Sequence, residues 1–271
     1  MASTVVITGG SRGFGAGLAR AFLARDWNVA VCARHPVAAD SGELPAAAGQ
    51  LLLVVSDMGS AEGAAHLAQQ AIDRFGGIDI WINNAGFAYG GPLLAEAEPA
   101  PLRAMVETNV LGTLLGCRAA ATVMADGAIY NIYGAGSDGR YVPAMVAYGT
   151  TKRAVDYLTR ALAAELLPKG MLVGGISPGL LMTEPVLKSL RGLSGQALAA
   201  RARVVNIIGD DVNIVAEWAV EKILQNRQTG RVFVRLTAAR LLGRRLRSLW
   251  RPRDVLSAHG IGVKKGAGET R

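Results

Sequence analysis

A doubly wound α/β fold, in which a parallel sheet carries helices on both faces, is what this 271-residue sequence predicts. Three observations point to it. Strand-type and helix-type stretches alternate along the chain, the early strands are apolar almost throughout instead of alternating, and a glycine-rich turn stands between the first strand and the first helix. The strand-type runs are residues 5–8, 28–33, 50–55, 78–82, 128–132, 171–176 and 231–236, about seven strands in all. Leu51-Leu52-Leu53-Val54-Val55 shows the continuous apolar character that a strand covered on both faces requires. Between them, residues 13–25, 61–75, 102–124, 146–167 and 212–225 read as helices. In such a sheet ligands sit beyond the carboxyl ends of the strands, which directs attention to the residues just after Thr8, Ala33, Val55, Ile82, Ile132 and Ile176.

Half of the residues are apolar, enough for one large core, and we expect one domain over residues 1–236 with a basic amphipathic extension over 237–271. Residues 36–50, rich in Ala and Pro, read as a surface connection, and 258–271, with four glycines, as a frayed end. No apolar run approaches the roughly 18 residues of a membrane span, and no charged leader precedes an apolar stretch at the start. The expectation is a soluble, cytoplasmic protein. Cys32 and Cys117 are far apart in apolar surroundings, as buried thiols of a reducing compartment are. His35, His66 and His259 are scattered, so no metal-ligand set is expected.

Charge is uneven. Residues 227–271 carry 12 Lys/Arg against Asp254 and Glu269, whereas the remainder holds 17 basic and 19 acidic residues. Leu242, Leu246, Leu249 and Trp250 fall near one helical face among Arg240, Arg244, Arg245, Arg247 and Arg251. Such a helix suits peripheral contact with an anionic membrane surface, or docking onto its own chain or a sister subunit. Aromatic residues do not interleave with these arginines, so nucleic acid is not an expected partner.

The turn Thr8-Gly9-Gly10-Ser11-Arg12-Gly13-Phe14-Gly15 opens a helix. Glycines let backbone approach a pyrophosphate, and the helix start turns free N–H groups toward it. Alone, the turn is equally a tight strand-to-helix connection; its place in the first βα unit favours a dinucleotide. Arg12 lies in the turn, and Arg34 directly follows the second strand, where many NAD sites place a carboxylate for the ribose. Two guanidinium groups suit a 2′-phosphate, hence NADPH, unless both are merely solvated. Tyr148 and Lys152, four apart on a helix, share a face, so the ammonium is expected to lower the phenol's pKa toward neutrality, as acid–base work requires.

Together, Thr8–Gly15, Asn83-Asn84-Ala85-Gly86, Tyr148-Gly149-Thr150-Thr151-Lys152 and Pro178-Gly179 make residues 4–236 resemble the short-chain dehydrogenase/reductase family, with its Rossmann-type fold. The resemblance implies an enzyme acting on carbonyl or alcohol groups. It places Asp57 and Met58 at the adenine, Asn83, Ala85 and Gly86 on the cofactor floor, and Pro178, Gly179 and Thr183 on the nicotinamide side. It also gives Lys152 the nicotinamide ribose, makes Asn109 the anchor of a relay water, and implies a homodimer or homotetramer.

One position departs from the family pattern. A serine is expected 13 residues before Tyr148, where Ala135 stands; the nearest is Ser137, 11 residues before it. Flanking glycines would allow Ser137 to turn toward a substrate; otherwise Tyr133 or a backbone N–H must polarise the carbonyl. The run Gly134-Ala135-Gly136-Ser137-Asp138-Gly139-Arg140, with Ala147–Arg153, is similar to the chlorophyll(ide) b reductase branch, which implies reduction of a formyl group on a large apolar ring. Leu180, Leu181, Met182, Val186, Leu187, Leu190 and Leu193 form an apolar set suited to a lid over a greasy ligand, an oligomer contact or ordinary core. Rival readings are a broad or 3-oxoacyl-type ketoreductase and a dinucleotide-binding regulatory protein with weak catalysis.

Overall fold

The computed structural model describes residues 2–36, 43–44, 50–89, 91–248, 250–251 and 253–262. The elements run β1 (Thr4–Ile7), α1 (Gly13–Leu23), β2 (Asn28–Ala33), β3 (Leu51–Val55), α2 (Ala61–Phe75), β4 (Ile80–Asn83), α3 (Pro99–Val106), α4 (Gly112–Val123), β5 (Ala128–Ile132) and α5 (Val146–Glu165). They continue with β6 (Leu172–Ser177), β7 (Leu180–Leu181), α6 (Glu184–Arg191), α7 (Gly195–Ile208), β8 (Gly209–Asp210), α8 (Val212–Gln225), β9 (Val232–Val234) and α9 (Ala238–Ser248).

The seven-stranded sheet has the order β3-β2-β1-β4-β5-β6-β9, and every pairing in it is parallel. Successive side chains leave opposite faces, so the continuous apolar strands feed two cores. Val5, Ile7, Ile80, Ile82 and Tyr130 join α1 and α8 on one face, while Val6, Trp81 and Ile129 join α2, α4 and α5 on the other. This is the Rossmann-type architecture expected from the alternation of runs.

The structure departs from the sequence expectations at several places. Residues 102–124 do not form one helix: α3 and α4 are separated by a π-helical turn, Glu107–Leu111, with Asn109 at its centre. α7 and the β7–β8 pair were not foreseen at all. Of the three readings open for the apolar set after Gly179, ordinary core holds for its buried members. Met182, Leu187 and Leu190 are buried in a small third core against Ala202 and Val205 of α7 and against Leu256 and Ile261 of the C-terminal segment. Residues 258–262 are therefore packed by Ile261, not frayed; 263–271 lie outside the described residues, as do 37–42 and 45–49 of the expected surface connection. No described helix is long and apolar enough to cross a membrane.

The C-terminal segment is also tied down by charge. Asp210, 7% exposed at its side chain, meets Arg244 at 2.7 Å, Arg253 at 3.1 Å and Arg235 at 3.5 Å. Since β8 pairs with β7 and Met182 N–H donates to the Asp210 carbonyl at 3.1 Å, this cluster fixes the segment that follows Pro178-Gly179.

Candidate active site

The ends of β1 and β4 are locked together by Thr8 and Asn84. Thr8 Oγ1 accepts from the N–H groups of Asn84 and Ala85, and Asn84 Nδ2 donates to the carbonyls of Thr8 and Gly9, all at 3.0 Å. This brings the glycine turn so close to the β4 loop that side chains are excluded. A Cβ on Gly15 would stand 2.5 Å from both the Gly9 oxygen and Asn84 Nδ2, and one on Gly9, which has φ +60°, would stand 2.9 Å from Ala85 Cα. Arg12 precedes α1 in extended conformation and no side chain caps the helix, so its first N–H groups are left for an anion. The bare backbone cradle and uncapped helix start fit a dinucleotide pyrophosphate.

Around that cradle, Thr183 approaches Gly13: its Cγ2 lies 3.6 Å from where a Cβ on Gly13 would be. Pro178 is buried, and Gly179 takes a φ of +81° against Leu236. Arg12 and Arg34 are exposed, and neither makes an ion pair or side-chain hydrogen bond with another described residue. Ser11, Ala33, His35 and Val55 border a shallow depression beyond β2. Asp57 is exposed after β3, its carboxylate accepting from Gly59 N–H at 2.9 Å, while Met58 is buried.

The second cluster gathers at the ends of β4 and β5 and the start of α5. Tyr148 lies in the first turn of α5 and Lys152 one turn later, the register their spacing predicts. The phenol rests against Gly134: a Cβ there would come within 2.3 Å of Tyr148 Oη. Lys152 is buried, 6% exposed, with Nζ donating to the Ile132 carbonyl at 3.0 Å and lying 5.8 Å from the Tyr148 ring centre. A Cβ on Gly86 would stand 3.6 Å from Lys152 Nζ and 2.9 Å from Asn109 Oδ1. Asn109 is fully buried; it accepts from Phe87 N–H and donates to the Phe87 carbonyl and to Thr151 Oγ1, at 2.9–3.1 Å. The π turn presents this side chain to both neighbouring segments, a frequent use of that irregularity.

Electrostatics differ from the expectation. Burial pushes the Tyr148 phenol up to about 12 and the Lys152 ammonium down to about 8. Desolvation is the cause at both groups, and no lowering of the phenol by the Lys152 ammonium is resolved beside it. A phenol so held stays protonated at neutral pH.

Ser137 is committed elsewhere. Its hydroxyl donates to the Gly134 carbonyl at 2.9 Å and accepts from Gly134 N–H at 3.0 Å, so the proton the sequence reading assigned to a substrate carbonyl is already used. The hydroxyl instead pins the turn that carries Gly134 under the phenol. Tyr133 is no substitute: its ring packs on Gly175 and its hydroxyl lies beside Thr159 and Asp156. Asn83, read as cofactor floor, points its side chain inward. It accepts from Trp81 Nε1 at 2.8 Å and donates to Asn131 Oδ1 at 2.9 Å.

Asn84 as the lock, Thr151 as partner of Asn109 and Gly134 as the seat of the phenol were not expected, although they lie within the Asn83–Gly86, Tyr148–Lys152 and Gly134–Arg140 runs. A shallow hollow opens beside Ala147, bordered by Tyr89, Leu94, Leu102, Tyr141 and Val146.

Fold and site together define a short-chain dehydrogenase, and the chain belongs to that family: the family model described as short chain dehydrogenase matches residues 3–191. Within the family, it is similar to chlorophyll(ide) b reductases. It is 36% identical over 231 residues to chlorophyll(ide) b reductase NOL, chloroplastic, of Oryza sativa subsp. japonica, covering 81% of this chain and 66% of that protein. The Arabidopsis thaliana protein of the same name is 36% identical over 230 residues, with 81% and 64% covered. The chain thus spans just under two thirds of these relatives' length. Among solved structures, ElxO with NADP bound superposes with a TM-score of 0.74 at 27% identity, covering 86% of this chain and 97% of that one.

Proposed function

We propose that the protein uses NADPH to reduce a formyl or keto group on a large apolar substrate to the alcohol, in the manner of a chlorophyll(ide) b reductase. The observation that carries this is the Tyr148 phenol seated on Gly134 one helical turn from Lys152, in a chain 36% identical to those reductases. NADPH, when bound, supplies the hydride. Thr8–Gly15, Asn84, Ala85 and Gly86 would hold it along the cradle, Asp57 and Met58 at the adenine, Pro178, Gly179 and Thr183 at the nicotinamide end.

Tyr148 directs its hydroxyl at the carbonyl oxygen and gives up its proton as negative charge develops there. Lys152 then faces a tyrosinate across the turn, and its charge offsets that anion. Asn109 and Thr151 hold the backbone around Lys152 in place. Ser137 acts as a positioning residue, through Gly134. The apolar hollow beside Ala147 accepts the body of the substrate. Exposed Leu111 and Leu114 on the α4 side and Tyr157 on α5 support assembly of two or four copies.

The test is NADPH consumption by the purified protein with chlorophyllide b, other formyl tetrapyrroles and 3-oxoacyl thioesters. Formyl tetrapyrroles are expected to turn over fastest. NADPH is expected to bind about tenfold or more tightly than NADH, a margin lost in Arg12→Ala/Arg34→Ala, since charge-assisted bonds to the 2′-phosphate are worth about 1.5–3 kcal/mol. Faster turnover of thioesters, or equal affinity for both dinucleotides, contradicts the reading.

A further inference from the structure

An amphipathic helix on a protein surface normally buries its apolar stripe. α9 does the reverse. Its orientation is set by Arg244, whose Nη2 lies 2.7 Å from both oxygens of the nearly buried Asp210 and whose Nη1 donates to the Ile207 carbonyl at 3.1 Å. At about 100° per residue, Arg244 stands roughly opposite Leu242 and Leu246. Those two are accordingly 60% and 51% exposed, and Trp250, just beyond the helix, is 79% exposed. Leu249, which the sequence places on the same face, lies outside the described residues.

Arg245 and Arg247 flank this outward stripe, and Arg251 follows it; all are exposed, and none makes an ion pair or side-chain hydrogen bond with a described residue. Arg201 and Arg203 of the neighbouring α7 add exposed positive charge. Residues 238–251 contain no acidic residue. Apolar anchors bordered by unpaired arginines are complementary to one kind of surface, lipid headgroups of negative charge over hydrocarbon. A second copy of the chain is a poor match. A two-fold contact sets a patch against itself and would bring arginine against arginine.

We propose that α9 seats the protein on an anionic bilayer surface, with Leu242, Leu246 and Trp250 entering the headgroup boundary and Arg245 and Arg247 contacting phosphates. The Asp210–Arg244 pair is then the joint that holds the stripe outward and couples it to the α6–α7 lobe. This goes beyond the reductase reading and stands whether or not that reading holds.

The experiment is cosedimentation of the full chain with vesicles of phosphatidylcholine alone or mixed with phosphatidylglycerol. Binding is expected only to the anionic vesicles, with a blue shift of tryptophan emission, and is expected to weaken as salt rises. Leu242→Ser/Trp250→Ser and, separately, Arg245→Glu/Arg247→Glu should each weaken it about tenfold or more. Circular dichroism and NADPH binding report that the variants fold, and if the first pair does not, the arginine pair decides. No binding to anionic vesicles, equal binding to neutral ones, or undiminished binding by the folded variants overturns the proposal. So does a sedimentation shift showing that these substitutions split an oligomer.

Discussion

Lys152→Met is expected to lower kcat for carbonyl reduction about a thousandfold while making the protein more stable. The loss follows from the geometry: without the ammonium, the tyrosinate left by proton transfer sits beside Ile132 and Gly134 with no counter-charge, and acid–base steps of this kind are worth about 10²–10⁴-fold. The gain follows from burial. Holding Lys152 at about 8 instead of its ordinary 10.5 costs the folded state about 3 kcal/mol at neutral pH. Losing its bond to the Ile132 carbonyl returns about 1 kcal/mol, leaving a net gain of about 2 kcal/mol.

The signs can be read from pH. Between 8 and 10.5 the unfolded chain binds more protons than the folded one at Lys152, so wild-type stability should rise with pH there. Tyr148 and Tyr133 have folded values raised to about 12, so their contribution is complete below 10 and is lost as pH climbs toward 12. Denaturant melts across this range should show the rise in the wild type and not in Lys152→Met. Reduction by the wild type should decline as pH passes about 8, where the ammonium loses its proton while the phenol keeps its own.

Asp210→Ala should produce the largest destabilisation outside the sheet, about 3–5 kcal/mol, because removing one partner of a buried ion cluster leaves the others uncompensated. Arg235 and Arg244 are 11% and 14% exposed at their side chains, and burial together with nearby Arg240 already pushes the Arg235 guanidinium downward. The damage should be local. Hydrogen exchange is expected to accelerate in 180–210 and 238–261, with β1, β4 and β5 still protected; uniform acceleration across the sheet would show that Asp210 is not the specific latch of the C-terminal lobe.

How far sequence carried the reading follows from what each signal depends on. Strands of the parallel sheet were legible from continuous apolar runs, as in Val29–Cys32 and Ile80–Ile82, whose burial demands them; the edge strand β3 is just as apolar although Leu53 and Val55 are 47% and 54% exposed. Tyr148 and Lys152 were legible because helical periodicity alone puts them on one face. The break at Glu107–Leu111 was not, since a π turn inserts a residue without disturbing composition. α7 escaped because its buried residues, Ala202 and Val205, are small and sit among arginines, leaving no apolar stripe to recognise. Its partners Leu256 and Ile261 arrive from about fifty residues away, which no local pattern reveals. The direction of Ser137 depended on a backbone turn, and the Tyr148 pKa on the balance of burial against charge; both are three-dimensional quantities.

We propose that the cleft formed by the glycine turn, Gly134 and α5 holds a reduced dinucleotide while Tyr148 donates the proton. Single-turnover mixing of the NADPH-loaded protein with a formyl tetrapyrrole tests it most directly, following NADPH absorbance in the wild type and in Tyr148→Phe. The variant is expected to bind NADPH with unchanged affinity yet consume it about a thousandfold more slowly. Consumption by Tyr148→Phe at the wild-type rate, or a wild-type protein that binds no NADPH, would contradict it.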